Sequence, residues 1–216
     1  VMRKILTGLS LFLMILIPCT VKSASSVAEE VSNHSVAVVF ESTGVAIGSG
    51  TLIEIEDKYA ILTAAHVAKA AGNAPLIFCS YYQECTSSSY TEYIGGNNGI
   101  ENDWAIYFID KKPSGTKPAR LNANRVDLGT DLWLSGVAEG LYPLIPKGSI
   151  AWINEINEKH LYCIISYSFS GFSGGGVYNS KGKLIAVIVA IRVSRTGIIQ
   201  EDHVIAVPIG NISLLN

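Results

Sequence analysis

Ten short apolar runs, separated by glycine, asparagine and lysine turns, occupy most of the chain from Val31 onward. They lie at residues 36–40, 45–55, 59–63, 74–78, 104–109, 132–134, 150–153, 161–167, 184–193 and 203–208. Runs this short and this regularly punctuated predict an all-β barrel or sandwich. Helical turns are expected only at 64–71 and 209–215, and no internal repeat of fixed period interrupts the pattern. Around Lys111-Lys112-Pro113-Ser114-Gly115-Thr116-Lys117-Pro118 the apolar pattern stops. Two prolines with glycine and lysine suit a surface linker, placed at 113–120, between an N-terminal half at 31–112 and a C-terminal half at 121–216.

With 216 residues, 49% of them hydrophobic and 16% charged, the chain can bury a sizeable core. A formal charge of −2 and a pI near 6.1 supply no basic footprint for a phosphate backbone. Nucleic acid is therefore not an expected partner.

At the N-terminus, Arg3 and Lys4 precede an apolar run at 5–17, followed by Pro18 and the small-residue stretch Ser23-Ala24-Ser25-Ser26-Val27-Ala28. That order is the order of a secretory signal peptide, assigned to 1–23. The run is short for a transmembrane helix, so no stable membrane insertion is expected after cleavage. Cutting after Ser23 or after Ala28 fits the small-residue rule. A cut after Ser23 removes Arg3, Lys4 and Lys22 and leaves 13 basic against 18 acidic residues, a formal charge of −5. The expected location is secreted or periplasmic.

Cys79, Cys85 and Cys163 then remain where disulfides form. A bridge between Cys79 and Cys85 would close a short loop, and Cys163, within Leu161-Tyr162-Cys163-Ile164-Ile165, is expected as a buried thiol. No cysteine–histidine cluster has metal-ligand spacing, and neither a metal nor a cofactor is expected.

Chemistry concentrates in three places. Ser168-Phe169-Ser170-Gly171-Phe172-Ser173-Gly174-Gly175-Gly176 sets one serine among glycines, which let main-chain N–H groups converge on a ligand without an intervening Cβ. Ser173 is the candidate nucleophile, with the N–H groups of Gly171 and Ser173 as oxyanion donors. Of the four histidines, His34, His160 and His203 read as structural or exposed. His66 ends an apolar strand that runs into small residues, Ala60-Ile61-Leu62-Thr63-Ala64-Ala65-His66. Asp103 opens the apolar run Trp104-Ala105-Ile106-Tyr107-Phe108-Ile109 and needs a hydrogen-bond partner if buried, for which His66 is the candidate.

Together, Thr63-Ala64-Ala65-His66, Asp103-Trp104-Ala105-Ile106 and Gly171-Phe172-Ser173-Gly174-Gly175 resemble the chymotrypsin-like (trypsin-fold) serine peptidases. The likeness is to their compact bacterial branch, which includes the high-temperature-requirement proteases. Gly48-Ser49-Gly50-Thr51-Leu52-Ile53 resembles that family's glycine-rich hairpin before the histidine strand. Gly129 to Gly136 resembles the start of its second barrel, and 184–187 and 204–208 the strands after the nucleophile. The resemblance covers roughly 31–214, and no PDZ-like domain is expected after it.

It implies two six-stranded antiparallel β-barrels with the active site in the cleft between them, His66 and Asp103 coming from the first and Ser173 from the second. It also implies a serine endopeptidase acting on protein or peptide substrates through an acyl-enzyme. His66 would be general base and then acid, and Asp103 would hold its tautomer. A primary specificity pocket walled by Tyr167, Ser168, Val189, Ala190 and Ile191 would have no acidic floor, so cleavage after small or medium apolar residues is expected. The alternative is a catalytically silent binding module of the same fold. Gly171-x-Ser173-x-Gly175 also fits the nucleophile elbow of α/β-hydrolases, but that fold needs its acid and histidine well downstream, and only 43 residues follow Ser173. Phe172 stands where digestive-type members have an aspartate that pairs with a new N-terminus, so the oxyanion loop is expected to be held by packing instead.

Overall fold

The computed structural model describes residues 24–81, 84–88, 94–95, 99–138, 142–193 and 199–215. The leader expected at 1–23 lies outside them. Helix α1 (Ala24–Ser32) leads into strands β1 (Ser35–Phe40), β2 (Ala46–Ile55) and β3 (Lys58–Thr63), and α2 (Ala65–Ala71) follows directly. Strands β4 (Leu76–Cys79), β5 (Cys85–Ser87), β6 (Ile94–Gly95) and β7 (Ala105–Ile109) complete the first half. The second half carries β8 (Asp131–Ala138), β9 (Tyr142–Leu144), β10 (Lys147–Ile156), β11 (Lys159–Ser166), β12 (Gly176–Asn179), β13 (Leu184–Val193) and β14 (Ile199–Pro208). Short 3₁₀ turns stand at Ile100–Asn102, Ile209–Asn211 and Ser213–Leu215.

The strands form two sheets, as an all-β trypsin-like architecture requires. The first runs β5-β4-β1-β2-β3-β7-β6 and curls into a half-barrel; among the described residues its edge strands β5 and β6 do not pair with each other. The second runs β10-β11-β14-β13-β12-β8-β9, and β8 pairs back onto β10, which closes six strands into a barrel with β9 outside the ring. Two hairpins turn on two residues in the left-handed region, Glu56 and Asp57 between β2 and β3, and Asn157 and Glu158 between β10 and β11. Such turns match the right-handed twist of the flanking strands. The Gly48-Ser49-Gly50 segment, read above as a hairpin, lies instead inside β2, where it pairs with Val36–Val38 of β1, and the pairing of β2 with β3 begins only at Thr51.

Why the 184–191 segment is apolar at every position follows from its place. Ile185, Ala186 and Ile188 point into the second barrel, whereas Leu184, Val187 and Val189 pack with the first half's core of Leu52, Ile53, Ile61, Leu62 and Ile106. A strand covered on both faces has no reason to alternate. Val207, Ile209 and Ile212 join the same shared core, so the second barrel's outer wall closes the open side of the half-barrel. Ser35 of β1 and Ser135 of β8 also hydrogen-bond through their hydroxyls across this junction.

Two segments depart from the sequence reading. Residues 24–28, read as part of a small-residue processing stretch, belong instead to α1, whose Val27 and Val31 lie one helical turn apart and are buried in the shared core. The connection at 113–120 is bound down rather than free: Pro113, Thr116 and Ala119 are buried. Lys117 N–H donates to Asn33 O at 2.9 Å and Ala119 N–H to Leu52 O at 2.8 Å. At its last residue, Arg120 O accepts from Leu184 N–H, also at 2.8 Å. Cys79 and Cys85 form a disulfide between directly opposed residues of β4 and β5. Cys163 is a free, buried thiol whose pKa is pushed up by burial.

His34 has a structural role. It is 3% exposed and stacks on Tyr178 of β12 with ring centroids 5.7 Å apart. Its Nδ1 donates to the carbonyl of Lys117 at 2.7 Å, since a carbonyl only accepts, and Nε2 has no partner among the described residues. Burial therefore pushes the imidazole below its ordinary 6.5, partly offset by the Lys117 carbonyl and Glu30. The unfolded chain then binds more protons than the folded one. The stabilisation is complete above the ordinary value and is lost as pH falls through it toward the lower folded value. Urea midpoints should drop between about pH 7.5 and about pH 5, and His34→Gln should flatten that drop. An equally steep fall in the variant would assign it to other groups.

Candidate active site

The pairing of β3 with β7 brings two of the chemically interesting residues together. Thr63 at the end of β3 lies opposite Ala105 at the start of β7. The chain beyond Thr63 turns through extended Ala64 (φ −82°, ψ 143°) into α2, so His66 sits in the helix's first turn. The chain before Ala105 comes from the 3₁₀ turn Ile100–Asn102, so Asp103 arrives beside it. Its carboxylate binds at two points: His66 N–H donates to Oδ1 at 2.8 Å, and His66 Nδ1 lies 2.7 Å from Oδ2. A carboxylate paired in this way accepts, so Nδ1 carries a proton, and in the neutral ring Nε2 is the nitrogen that presents a lone pair. The imidazole side chain is 47% exposed and Asp103's 17%, which leaves the ring face open and its anchor covered.

Ser173 lies on the loop joining β11 to β12. Ser49 N–H of β2 donates to Ser173 O at 2.8 Å, Gly174 N–H donates to Ile188 O at 2.7 Å, and Ile188 N–H returns to Gly175 O at 2.8 Å. The loop is thus fastened to both halves. Gly174 has φ +89°, and a Cβ there would lie 2.0 Å from Ser49 O and 3.0 Å from Ala64 N, two residues before His66. A Cβ on Gly48 would meet Val67, the residue after His66, at 2.8 Å and Ser173 O at 3.0 Å. Missing side chains at 48 and 174 are what let the serine loop close on the start of α2. Among the described residues His66 hydrogen-bonds Asp103 and not Ser173; such contacts commonly tighten only with substrate bound.

The oxyanion candidates are oriented through their neighbours. Gly171 takes φ +97°, and its carbonyl accepts from Ser49 Oγ at 2.5 Å, while Ser49 Oγ also accepts from Val137 N–H at 2.7 Å. Phe172 N–H donates to Phe169 O at 3.1 Å. Among the described residues no hydrogen bond uses the N–H of Gly171 or of Ser173, so both donors are available. Phe172 is buried with Leu132, Leu134 and Ile150 and meets Phe169 edge to face at 5.8 Å. Its ring also lies against Gly136 of β8, where a Cβ would come within 2.6 Å.

Of the five residues read as a specificity pocket, Ser168 and Val189 are buried, Ala190 and Ile191 are half-buried, and Tyr167 is 75% exposed with its ring in solvent. His160 sits beside Glu155 and Arg125, and His203 pairs with Asp202 at 2.8 Å, and neither imidazole hydrogen-bonds His66 or Asp103. Among the described residues no group of His, Cys, Asp and Glu is arranged to hold a metal. Ser49 was missed as a site residue, although a serine between two glycines in Gly48-Ser49-Gly50 was the available signal.

A profile of the trypsin-like peptidase domain matches residues 43–187. A search of curated protein sequences finds no match. Among solved structures, the chain resembles the serine endoprotease from Yersinia pestis, with a TM-score of 0.68 at 21% identity over 90% of this chain and 67% of that one. It also resembles the HtrA-type protease AlgW with decapeptide, at TM-score 0.67 and 17% identity over 90% and 68%. Rv3671c from M. tuberculosis H37Rv, an alanine mutant in its inactive form, gives 0.64 at 16% identity over 87% and 86%. The chain thus spans most of the mycobacterial structure and about two thirds of the other two. With the profile covering well over half the chain, and the His66–Asp103 pair and the Ser173 loop meeting between a half-barrel and a barrel, the chain belongs to the trypsin-like peptidase domain family.

Proposed function

We propose that this serine endopeptidase cleaves peptide bonds with Ser173 as nucleophile, His66 as general base and acid, and Asp103 as the anchor of the imidazole. The observation that carries the reading is the two-point His66–Asp103 pairing, which fixes the proton on Nδ1 and turns Nε2 of the neutral ring into the free acceptor, together with a loop whose Gly171 and Ser173 N–H groups are free. In this reading Nε2 takes the proton from Ser173 Oγ as it attacks the carbonyl carbon, and the two N–H groups receive the developing oxyanion. The imidazolium then protonates the leaving amine. Water, deprotonated by the same nitrogen, releases the acyl group from Ser173. A peptide substrate is in keeping with the decapeptide on the AlgW structure, and the half-buried, apolar Ala190 and Ile191 favour a small or medium apolar residue before the cut.

Signal-directed export fits the same reading, because a disulfide between Cys79 and Cys85 belongs in an oxidising compartment. Of the two cleavage sites, the one after Ser23 keeps α1 whole, whereas the one after Ala28 strips Val27 from the shared core. The two working halves are 31–112 and 121–216, joined through 113–120.

Reaction with a fluorophosphonate tests the site. The mature wild type should label at one position, Ser173→Ala should not label, and His66→Ala should label far more slowly. Equal labelling of wild type and Ser173→Ala would place the nucleophile elsewhere. A folded wild type that never labels would make the chain a binding module.

A further inference from the structure

The turn that delivers Asp103 is gripped from the opposite half of the molecule. Glu101 is 2% exposed, and its carboxylate accepts from Asn157 Nδ2 at 2.8 Å. Lys159 Nζ donates to Asn102 Oδ1 at 2.6 Å and reaches Asn211 O at 3.4 Å. Asn211 Nδ2 in turn donates to His160 O at 2.7 Å, which ties the 3₁₀ turn Ile209–Asn211 to the same hairpin. Both residues immediately before Asp103 are therefore held by side chains of the second barrel.

The mount for these donors is stiff. Asn157 (φ 50°) and Glu158 (φ 64°) form the two-residue turn between β10 and β11, and Ile156 and Lys159 are the pair that closes it. Such a turn has little freedom to slide. From Lys159, β11 runs without interruption to Ser166, and the loop bearing Ser173 begins at the next residue. One strand thus has the grip on the Asp103 turn at its first end and the nucleophile loop at its last. Asp103 passes the position of that turn to His66 through its two hydrogen bonds.

We infer that Asn157 and Lys159 are positioning residues: by holding Glu101 and Asn102 they keep the His66–Asp103 pair of the first half in register with Ser173 of the second. The inference rests on the triad reading given above. Across a junction between two separately built sheets, some contact must set the approach of base to nucleophile. A misplacement of about 1 Å in a catalytic constellation costs up to about a hundredfold in rate.

The test separates positioning from simple stability. Lys159→Met keeps the length and apolar stem of the side chain and removes the ammonium, and Lys159→Arg keeps donors at the same place. Asn157→Gly preserves a turn that glycine favours while deleting the amide. With a p-nitrophenyl ester of an acylated alanine, folded Lys159→Met should lose about tenfold in kcat with KM changed little. Asn157→Gly should lose in the same direction, and Lys159→Arg should recover most of the rate. Wild-type kcat in both folded loss variants, or no recovery in Lys159→Arg, overturns the inference. Should the wild type itself neither label nor hydrolyse, the triad reading fails separately. The grip is then read from the downfield proton resonance of His66 Nδ1–H: its loss in Lys159→Met supports the assignment, and an unchanged resonance overturns it.

Discussion

Ser173→Ala is expected to lower kcat/KM on a peptide substrate by on the order of 10⁶, with the urea unfolding midpoint unmoved. The separation follows from how the loop is held. Backbone bonds fasten residues 173–175, from Ser49 N–H to Ser173 O and between Gly174, Gly175 and Ile188, and none of them uses Oγ. Removing one half-exposed hydroxyl therefore deletes the nucleophile and leaves the mount. Asp103→Asn should cost less, about 10⁴, because an amide cannot accept from both His66 N–H groups as the carboxylate does. An amide nitrogen turned toward the ring would face another donor and favour the wrong tautomer. A Ser173→Ala protein that kept more than about a hundredth of the activity would assign the chemistry to a different group.

Gly174→Ala should be strongly destabilising for a single added methyl. Its φ of +89° is strained for any side chain, a cost of about 1–3 kcal/mol. The added Cβ would also sit 2.0 Å from Ser49 O and 2.2 Å from Thr63 Oγ1, neither a flexible chain end. Thr63 Oγ1 is itself committed to Ser49 O at 2.7 Å, and Ser49 also anchors Gly171 and Val137. Relief therefore requires backbone movement, with overpacking adding about 1–3 kcal/mol. The sum, about 4 kcal/mol, is a large share of the stability of an ordinary domain. Thermal unfolding should shift down by many degrees, and the residual folded protein should label slowly with fluorophosphonate because the loop can no longer close on Ala64. A melting curve superimposed on wild type would refute the close approach.

How much of this was legible in the sequence differs from element to element. The β architecture was, since glycine and asparagine turns between short apolar runs are local signals, and 184–193 was read with its observed bounds. The short strands β5, β6 and β9 were not: two or three residues carry no periodicity, and pairing alone makes them strands. Helix α1 escaped for a different reason. Its Ala-Ser-Ser start resembles a processing site, and only the distant core explains why Val27 and Val31 are one turn apart. The bridge between Cys79 and Cys85 and the pairing of His66 with Asp103 were anticipated. Glu101, Asn157 and Lys159 could not be, because a buried carboxylate and a lysine far apart in sequence give no local sign of meeting.

The shared core has a consequence for the order in which the protein can come into being. The half-barrel of β1 to β7 is finished only by Leu184, Val187, Val189, Val207, Ile209 and Ile212. Completing that core takes residues as late as 212, so native closure belongs to the whole chain rather than to its first half alone. In a polypeptide built this way the first half cannot be completed without the last strand.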